Sequence, residues 1–474
     1  MTAPMSRRDV LRAGAAGVFS IVVAGSVEAI ASPAASAMTR RVAGYGPLVP
    51  DPAGILSLPE GFSYKIVAET GVTKLESGEP TPSDPDGTAI FEGDGQLVLV
   101  NNHEVGGSEP YRVPTVDGLT FDPGAGGGTT NIVVDAEGNR VNEYVSLAGT
   151  HNNCAGGRTP WDTWITCEET EQRAGGAFQH DHGWCFEVDA FDREANLNPV
   201  PLKFLGRFSH EAISLDPADN RIYLTEDAGN PNGLYYRWTP PAGFTGGKGA
   251  LRKLALSEGG DTAGTLEAMV CYLGTKRIAD LSEATQPGTR YDVKWVGVPD
   301  RLATEVSIRK QFGAGEVTSS HKLEGAYFGD GGHYFVASYA RASDGSANEH
   351  DGQVWFYDPA TETVTLKTIF KVNPNPGEDE NFDGPDNIVV DPNGGLILAE
   401  DGEGIQHLVG ITKEGDSYPM ARNEVSVDKE FTGPTFTEDG RMLFANIQSP
   451  GHVFAITGPF HAPGTPSNAG GPRA

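Results

Sequence analysis

From about Pro59 onward, short runs of Val, Ile, Leu and aromatic residues alternate with clusters of Asp, Asn, Gly and Pro. That spacing is the signature of β-hairpins; helices would show apolar residues at three- and four-residue intervals over longer stretches. One unit recurs: a polar residue opens an apolar strand, a turn follows, and a second strand returns to a polar cluster. The clearest copies run from Glu211 through a turn at 216–220 to Glu226-Asp227, and from Asp386 through 391–395 to Glu400-Asp401. Further copies run from Asp86 to Glu104, Asn153 to Glu169, Glu324 to Tyr339 and Pro434 to Gln448, about six in all. Between Asp227 and Glu324 the spacing doubles, and the Gly-, Ser- and Thr-rich segment 240–289 reads as an insertion on one face or a degenerate blade.

Two antiparallel strands of equal length bring the chain back to the end from which it started. Repeated hairpins with Gly and Pro turns predict an all-β fold, a six-bladed β-propeller with loop insertions on one face. The innermost strands of a propeller line a central channel, so the residues that open and close each hairpin converge at one rim. The expected ring is Glu104, Glu168, Glu169, Glu211, Glu226, Asp227, Glu324, Asp386, Glu400 and Asp401. Crowded carboxylates raise one another's pKa and are costly to desolvate, a conflict that hard polyvalent cations resolve. Individually, about half of these acids fit the plainer role of accepting backbone N–H bonds at turns.

The N-terminus adds a leader. Ser6-Arg7-Arg8-Asp9-Val10-Leu11 precedes a small-residue apolar stretch over 13–27 and an Ala35-Ser36-Ala37 cleavage pattern, which reads as a twin-arginine export peptide. The apolar stretch falls short of the ~20 residues that span a bilayer. The expected organisation is a signal peptide over 1–37, a spacer over 38–58, a propeller over 59–460 and a flexible tail over 461–474. Such a protein is expected to be passed, already folded, by the twin-arginine export machinery to the periplasm or the medium, as a monomer. With 35 basic against 64 acidic residues the net charge is −29, which repels nucleic acid and anionic lipid. Four cysteines are too few for a disulfide scaffold in a chain of 474 residues. Cys167 and Cys185 fall on neighbouring strand-like runs and fit either a cross-strand disulfide or two buried thiols, whereas Cys154 stands apart.

The most informative segment runs Gly149-Thr150-His151-Asn152-Asn153-Cys154-Ala155-Gly156-Gly157 and on through Trp164-Ile165-Thr166-Cys167-Glu168-Glu169. A thiolate is a soft donor suited to iron and carboxylates suit calcium, so one cysteine among many acids points to a mixed metal centre. The neighbouring glycines let backbone approach a metal closely. The plainer alternative is a buried free thiol. The Asn-Cys-Ala-Gly-Gly loop and the Trp-containing strand ending in Cys-Glu-Glu resemble the signature of the PhoX-type alkaline phosphatases. So do Asn102-His103-Glu104, His210-Glu211, Glu226-Asp227, Lys322-Leu323-Glu324 and the pair Asp386 and Glu400, over nearly the whole mature chain. The resemblance implies a secreted phosphomonoesterase built on an iron and calcium cluster. In it Cys154 ligates iron, and Glu169, Glu211 and Glu324 are among the ligands to iron and calcium; Glu104, Glu168, Glu226, Asp227, Asp386 and Glu400 are further ligands. It also puts Lys322 against the substrate's phosphate, where the family usually carries arginine; lysine offers a point charge in place of a planar fork. Arg158 is a second candidate for that contact, or an ordinary loop arginine.

The implied substrates are small phosphate esters, whose charge a metal-rich site offsets. The sequence carries no Gly-x-Ser-x-Gly elbow and no His-Glu-x-x-His helix, and the P-loop-like run 243–249 lacks Ser or Thr after Lys248. His180 and His182 have no third partner near them, so zinc is not expected there; the acidic run from Glu378 to Asp383 lacks EF-hand spacing and reads as a solvated loop. Two other readings compete. One is a calcium-dependent propeller lactonase or phosphotriesterase, which has no need of a cysteine; the other is a non-catalytic calcium-binding propeller that presents its faces to a partner.

Overall fold

The computed structural model describes residues 44–93, 95–372 and 381–460. Among these the strands fall into six successive sets, each starting at an inner strand and stepping outward. The inner strands are Pro85–Gly93, Asn153–Arg158, His210–Leu215, Leu323–Gly329, Pro385–Val390 and Phe431–Phe436. Each touches the next, and the last touches the first, so they close a circuit. Each returns along an antiparallel neighbour: Gln96–His103, Thr163–Glu168, Ile222–Glu226, Gly332–Ala337, Leu396–Glu400 and Met442–Ile447. The result is an all-β propeller, the fold class that the hairpin repeat predicts.

By hydrogen bonding the sets form five sheets, not the six separate ones expected. Arg290–Gly297 explains the difference: it pairs with Thr265–Leu273 on one side and Thr363–Phe370 on the other, fusing the outer edges of the third and fourth sets. The segment 240–289 is likewise not an added blade. It holds a short helix, Ala250–Ala255, and the strand Thr265–Leu273, which is the outer strand of the third set and pairs with Gly233–Thr239.

Closure comes from the N-terminal side. Ser63–Glu69 pairs with His452–Thr457 and completes the last set, so sequence-distant segments share one sheet. Leu48–Val49 and Leu56–Pro59 extend the outer edge of the fifth set, taking in part of the span read as spacer. The leader over 1–37 and the tail over 461–474 lie outside the described residues.

The inner and returning strands are buried on both faces, because each set is sandwiched between two others, whereas outer strands such as Arg290–Gly297 alternate between buried and exposed positions. The core accordingly divides into six clusters among the described residues, each shared by two adjacent sets. One joins Ile165 and Cys167 to Leu224 and Trp238; another joins Ile90 and Leu99 to Phe444 and Val453. Burying a side chain such as Phe335 or Leu398 contributes about 1.5–3 kcal/mol, which is what holds neighbouring blades face to face.

Candidate metal centre

In all six sets the register between inner and returning strand slips by one residue near the start of the inner strand. Pro85 faces His103 but Thr88 faces Asn101; His210 faces Glu226 but Ile213 faces Leu224. The same slip falls between Asn153 and Gly156, Leu323 and Ala326, Pro385 and Ile388, and Thr432 and Thr435. Such a bulge inserts one extra residue, bends the strand and re-aims side chains. The second residue of each inner strand sits there: Asp86, Cys154, Glu211, Glu324 and Asp386, with Thr432 in the sixth strand. The first five are buried, from 2 % exposed for Asp86 to 9 % for Asp386.

Glycines draw these positions together. A Cβ at Gly87 would lie 2.8 Å from the Cys154 carbonyl oxygen, one at Gly325 2.6 Å from that of Asp386, and one at Gly433 2.4 Å from that of Asp86. Only a residue without Cβ lets adjacent inner strands approach so closely at the level of the acids.

Donor atoms of Cys154, Glu169 and Glu211 lie within 4.8 Å of one another, and so do those of Glu211, Glu324 and Asp386. Glu211 is common to both triads. Glu104 and Glu169 enter from the ends of the returning strands and are tied together by Asn152, whose Nδ2 donates to Glu104 at 2.8 Å and to Glu169 at 3.2 Å. Gln448, at the matching position of the last set, donates to Glu104 at 2.6 Å and to Asp86 at 2.8 Å. Lys322, in a left-handed conformation with φ 45°, brings its Nζ to 3.2 Å from Glu324, 3.6 Å from Asp227 and 4.0 Å from Asp401. Asp401 stands at the mouth, with its side chain 47 % exposed.

The electrostatics are those of an anion cluster short of positive charge. Burial first, and neighbouring acids second, push Asp86, Glu169, Glu211, Glu324, Asp386 and Glu430 well above the usual carboxylate range. Burial and then the charge of Glu211 raise the Cys154 thiol. Lys322 is held firmly protonated, by Glu324 above all. Asp86 Oδ1 has no hydrogen-bond partner. A thiol, a bridging carboxylate and an orphaned buried oxygen make a donor set that suits metal ions and otherwise carries an unmet desolvation cost.

Other expected ring members point elsewhere. Glu168 accepts from His182 Nδ1 at 2.6 Å and from the amides of His151, Gly183 and Trp184. Glu226 is held by Arg309 at 2.9 Å and the Tyr236 hydroxyl at 2.6 Å, and Glu400 by His407 Nδ1 at 2.8 Å and the Asp383 amide. These three anchor the returning strands, while the residue after each, Glu169, Asp227 or Asp401, turns toward the ring. Arg158 lies at the other end of its inner strand from Cys154 and pairs with Asp162 at 2.8 Å and Glu438 at 3.0 Å. It lines a cavity of about 320 Å³ along the inner strands, away from the acids. Sequence reasoning missed Asp86 and Glu430 as ring members. The signal for Asp86 was its place as the first acid of a hairpin copy; Glu430, just before the last inner strand, carried none. Of the acidic run beginning at Glu378, residues 378–380 lie outside the described residues.

A family model described as alkaline phosphatase PhoX matches residues 43–451. No curated protein matches the chain. Solved structures it is similar to include a gluconolactonase from Xanthomonas campestris, 12% identical, covering 88% of this chain and 98% of that one with a TM-score of 0.41. Another is the PQQ domain of pyranose dehydrogenase from Coprinopsis cinerea, 11% identical, covering 86% and 98% with a TM-score of 0.37.

Proposed function

The chain belongs to the alkaline phosphatase PhoX family, a family of phosphoric monoester hydrolases, and from that premise we propose that it is an exported phosphatase working through iron and calcium. The observation that carries this reading is the pair of donor triads that share Glu211. Cys154, Glu169 and Glu211 would hold iron; Glu211, Glu324 and Asp386, with Asp86, Glu104 and Asp227 beside them, would hold calcium. Metal ions there would supply the positive charge that offsets a phosphate ester's own and would lower the pKa of a bound water to make the nucleophile.

The chain's own residues do the positioning. Lys322 Nζ, oriented by Glu324 and Asp227, binds a non-bridging oxygen of the phosphate as a point charge. Asn152 and Gln448 hold the carboxylates of Glu104, Glu169 and Asp86 in fixed orientations, so little reorganisation is needed when substrate arrives. Glu168, Glu226 and Glu400 serve as strand anchors, and Arg158 takes no part in binding phosphate.

The test combines metal analysis of the purified mature protein with hydrolysis of a chromogenic phosphate monoester, with and without a calcium chelator. Iron, calcium and chelator-sensitive monoesterase activity are expected. Calcium without iron, with activity on lactones or phosphotriesters, would favour the lactonase-like reading; metal without hydrolysis would favour a binding propeller. Export is part of the same proposal: replacing Arg7 and Arg8 by lysine should strand the active protein, a monomer, in the cytoplasm.

A further inference from the structure

A second donor cluster sits in the core between the second and third blades. Cys167 and Cys185 stand directly opposite each other on adjacent strands, with their sulfurs 3.8 Å apart. A ring nitrogen of His210 lies within 4.8 Å of both sulfurs. All three residues are fully buried. His210 Nε2 lies 3.0 Å from the Gly206 carbonyl oxygen, while Nδ1 has no hydrogen-bond partner. Phe208 stacks on the imidazole at 3.6 Å and fixes its plane.

The sulfur separation is too long for a disulfide and fits either a thiol–thiol hydrogen bond or a shared metal; the unpartnered Nδ1 of His210 favours the metal. A disulfide needs sulfurs about 2.05 Å apart. Two thiolates on one tetrahedral zinc, each about 2.3 Å from it, stand about 3.8 Å apart. Two plain thiols would leave Nδ1 orphaned in an apolar core. A histidine that donates from one ring nitrogen to a backbone carbonyl keeps the other lone pair free, which is how ligating histidines are held. A divalent ion with two thiolates and a neutral imidazole is electrically neutral, so the surrounding Ile165, Phe204 and Leu224 tolerate it.

We propose that Cys167, Cys185 and His210 bind one zinc(II) ion as a clamp between the second and third blades, with a water in the fourth tetrahedral position that these three donors leave open. Binding displaces the two thiol protons to solvent. The clamp is independent of the phosphatase reading, since none of its donors belongs to the acidic ring.

Cobalt(II) is the probe, because thiolate ligation gives it intense near-ultraviolet charge-transfer absorption. Full-length protein carrying Cys154→Ala, which removes the ring's thiolate, is stripped of metal and reloaded with cobalt. Thiolate–cobalt absorption that is abolished by adding Cys185→Ser supports the clamp; its absence from the Cys154→Ala protein overturns it. Should the double variant fail to fold, native mass spectrometry of the unaltered protein decides. A zinc adduct that disappears on denaturation, leaving Cys167 and Cys185 free to alkylate, supports the clamp. No zinc, or a denatured mass short by two hydrogens and restored by reductant, shows an empty pair or a disulfide and overturns it.

Discussion

Cys154 occupies the place that acids occupy in four neighbouring blades, so the chemistry of the ring turns on one side chain. Replacing it with aspartate keeps a donor there but exchanges a soft ligand for a hard one. Cys154→Asp should retain calcium and lose iron by elemental analysis, with monoesterase activity down at least ~100-fold. At Lys322, removing the charge with Lys322→Met should lower kcat/KM by about 10²–10³-fold, whereas Lys322→Arg, able to grip phosphate with two donors, should recover most of it. The place of the ring was legible because polar residues recur where apolar strands begin and end. What the sequence blurred was parity. Glu168-Glu169, Glu226-Asp227 and Glu400-Asp401 each present two acids, but successive strand residues face opposite ways and only the second of each pair reaches the ring. The expected ring left out Asp86, although it opens a hairpin copy just as Glu211 and Asp386 do.

At the scale of elements, the closing strand Ser63–Glu69 depends on a small hub. Asp51 accepts from the amides of Ala53, Ile55 and Leu56 and from the Tyr64 hydroxyl at 2.7 Å, fastening the incoming segment to that strand. Burial pushes the Asp51 carboxyl up, but these hydrogen bonds outweigh it and hold the pKa at about 2. A depressed folded-state pKa means that the hub's stabilisation is present above the ordinary value of 3.8 and is lost as pH falls through about 2. Asp51→Asn should therefore destabilise the protein by about 1–2 kcal/mol at neutral pH, measured by denaturant unfolding, and by progressively less as pH drops below 3.8. Truncation through Glu69 goes further: it leaves His452–Thr457 as an unpaired edge and removes the outermost strand of the last set, so the product should be aggregated in size-exclusion chromatography. Neither the hub nor the closure could be read from the sequence, because they join segments that local pattern cannot relate. The same holds for Arg290–Gly297 and Thr265–Leu273, whose β character was masked by the Gly-, Ser- and Thr-rich stretch around them.

The propeller is a ring of blades pulled together by apolar interfaces and pushed apart at its centre by acids. Raised carboxylate pKa values mean that the folded, metal-free chain binds protons more tightly than the unfolded one, so stability falls as pH rises above the ordinary 4.5. Chelated protein should show a Tm that drops steadily from mildly acid to alkaline pH, while the metal-loaded protein stays level over the same range; equal slopes would mean that the acids are neutralised by something other than metal. The net charge of −29 adds a general repulsion in the same direction. The repeat that predicted the propeller also predicted a shared rim, and that inference holds because every hairpin starts and ends at the same level. The bulge recurs at one place in every inner strand, and this makes the rim a set of interchangeable sockets. Five are filled by donors and the sixth by Thr432, so the side chain that each blade's inner strand sends to the rim is chosen at one fixed place without altering the rest of the blade.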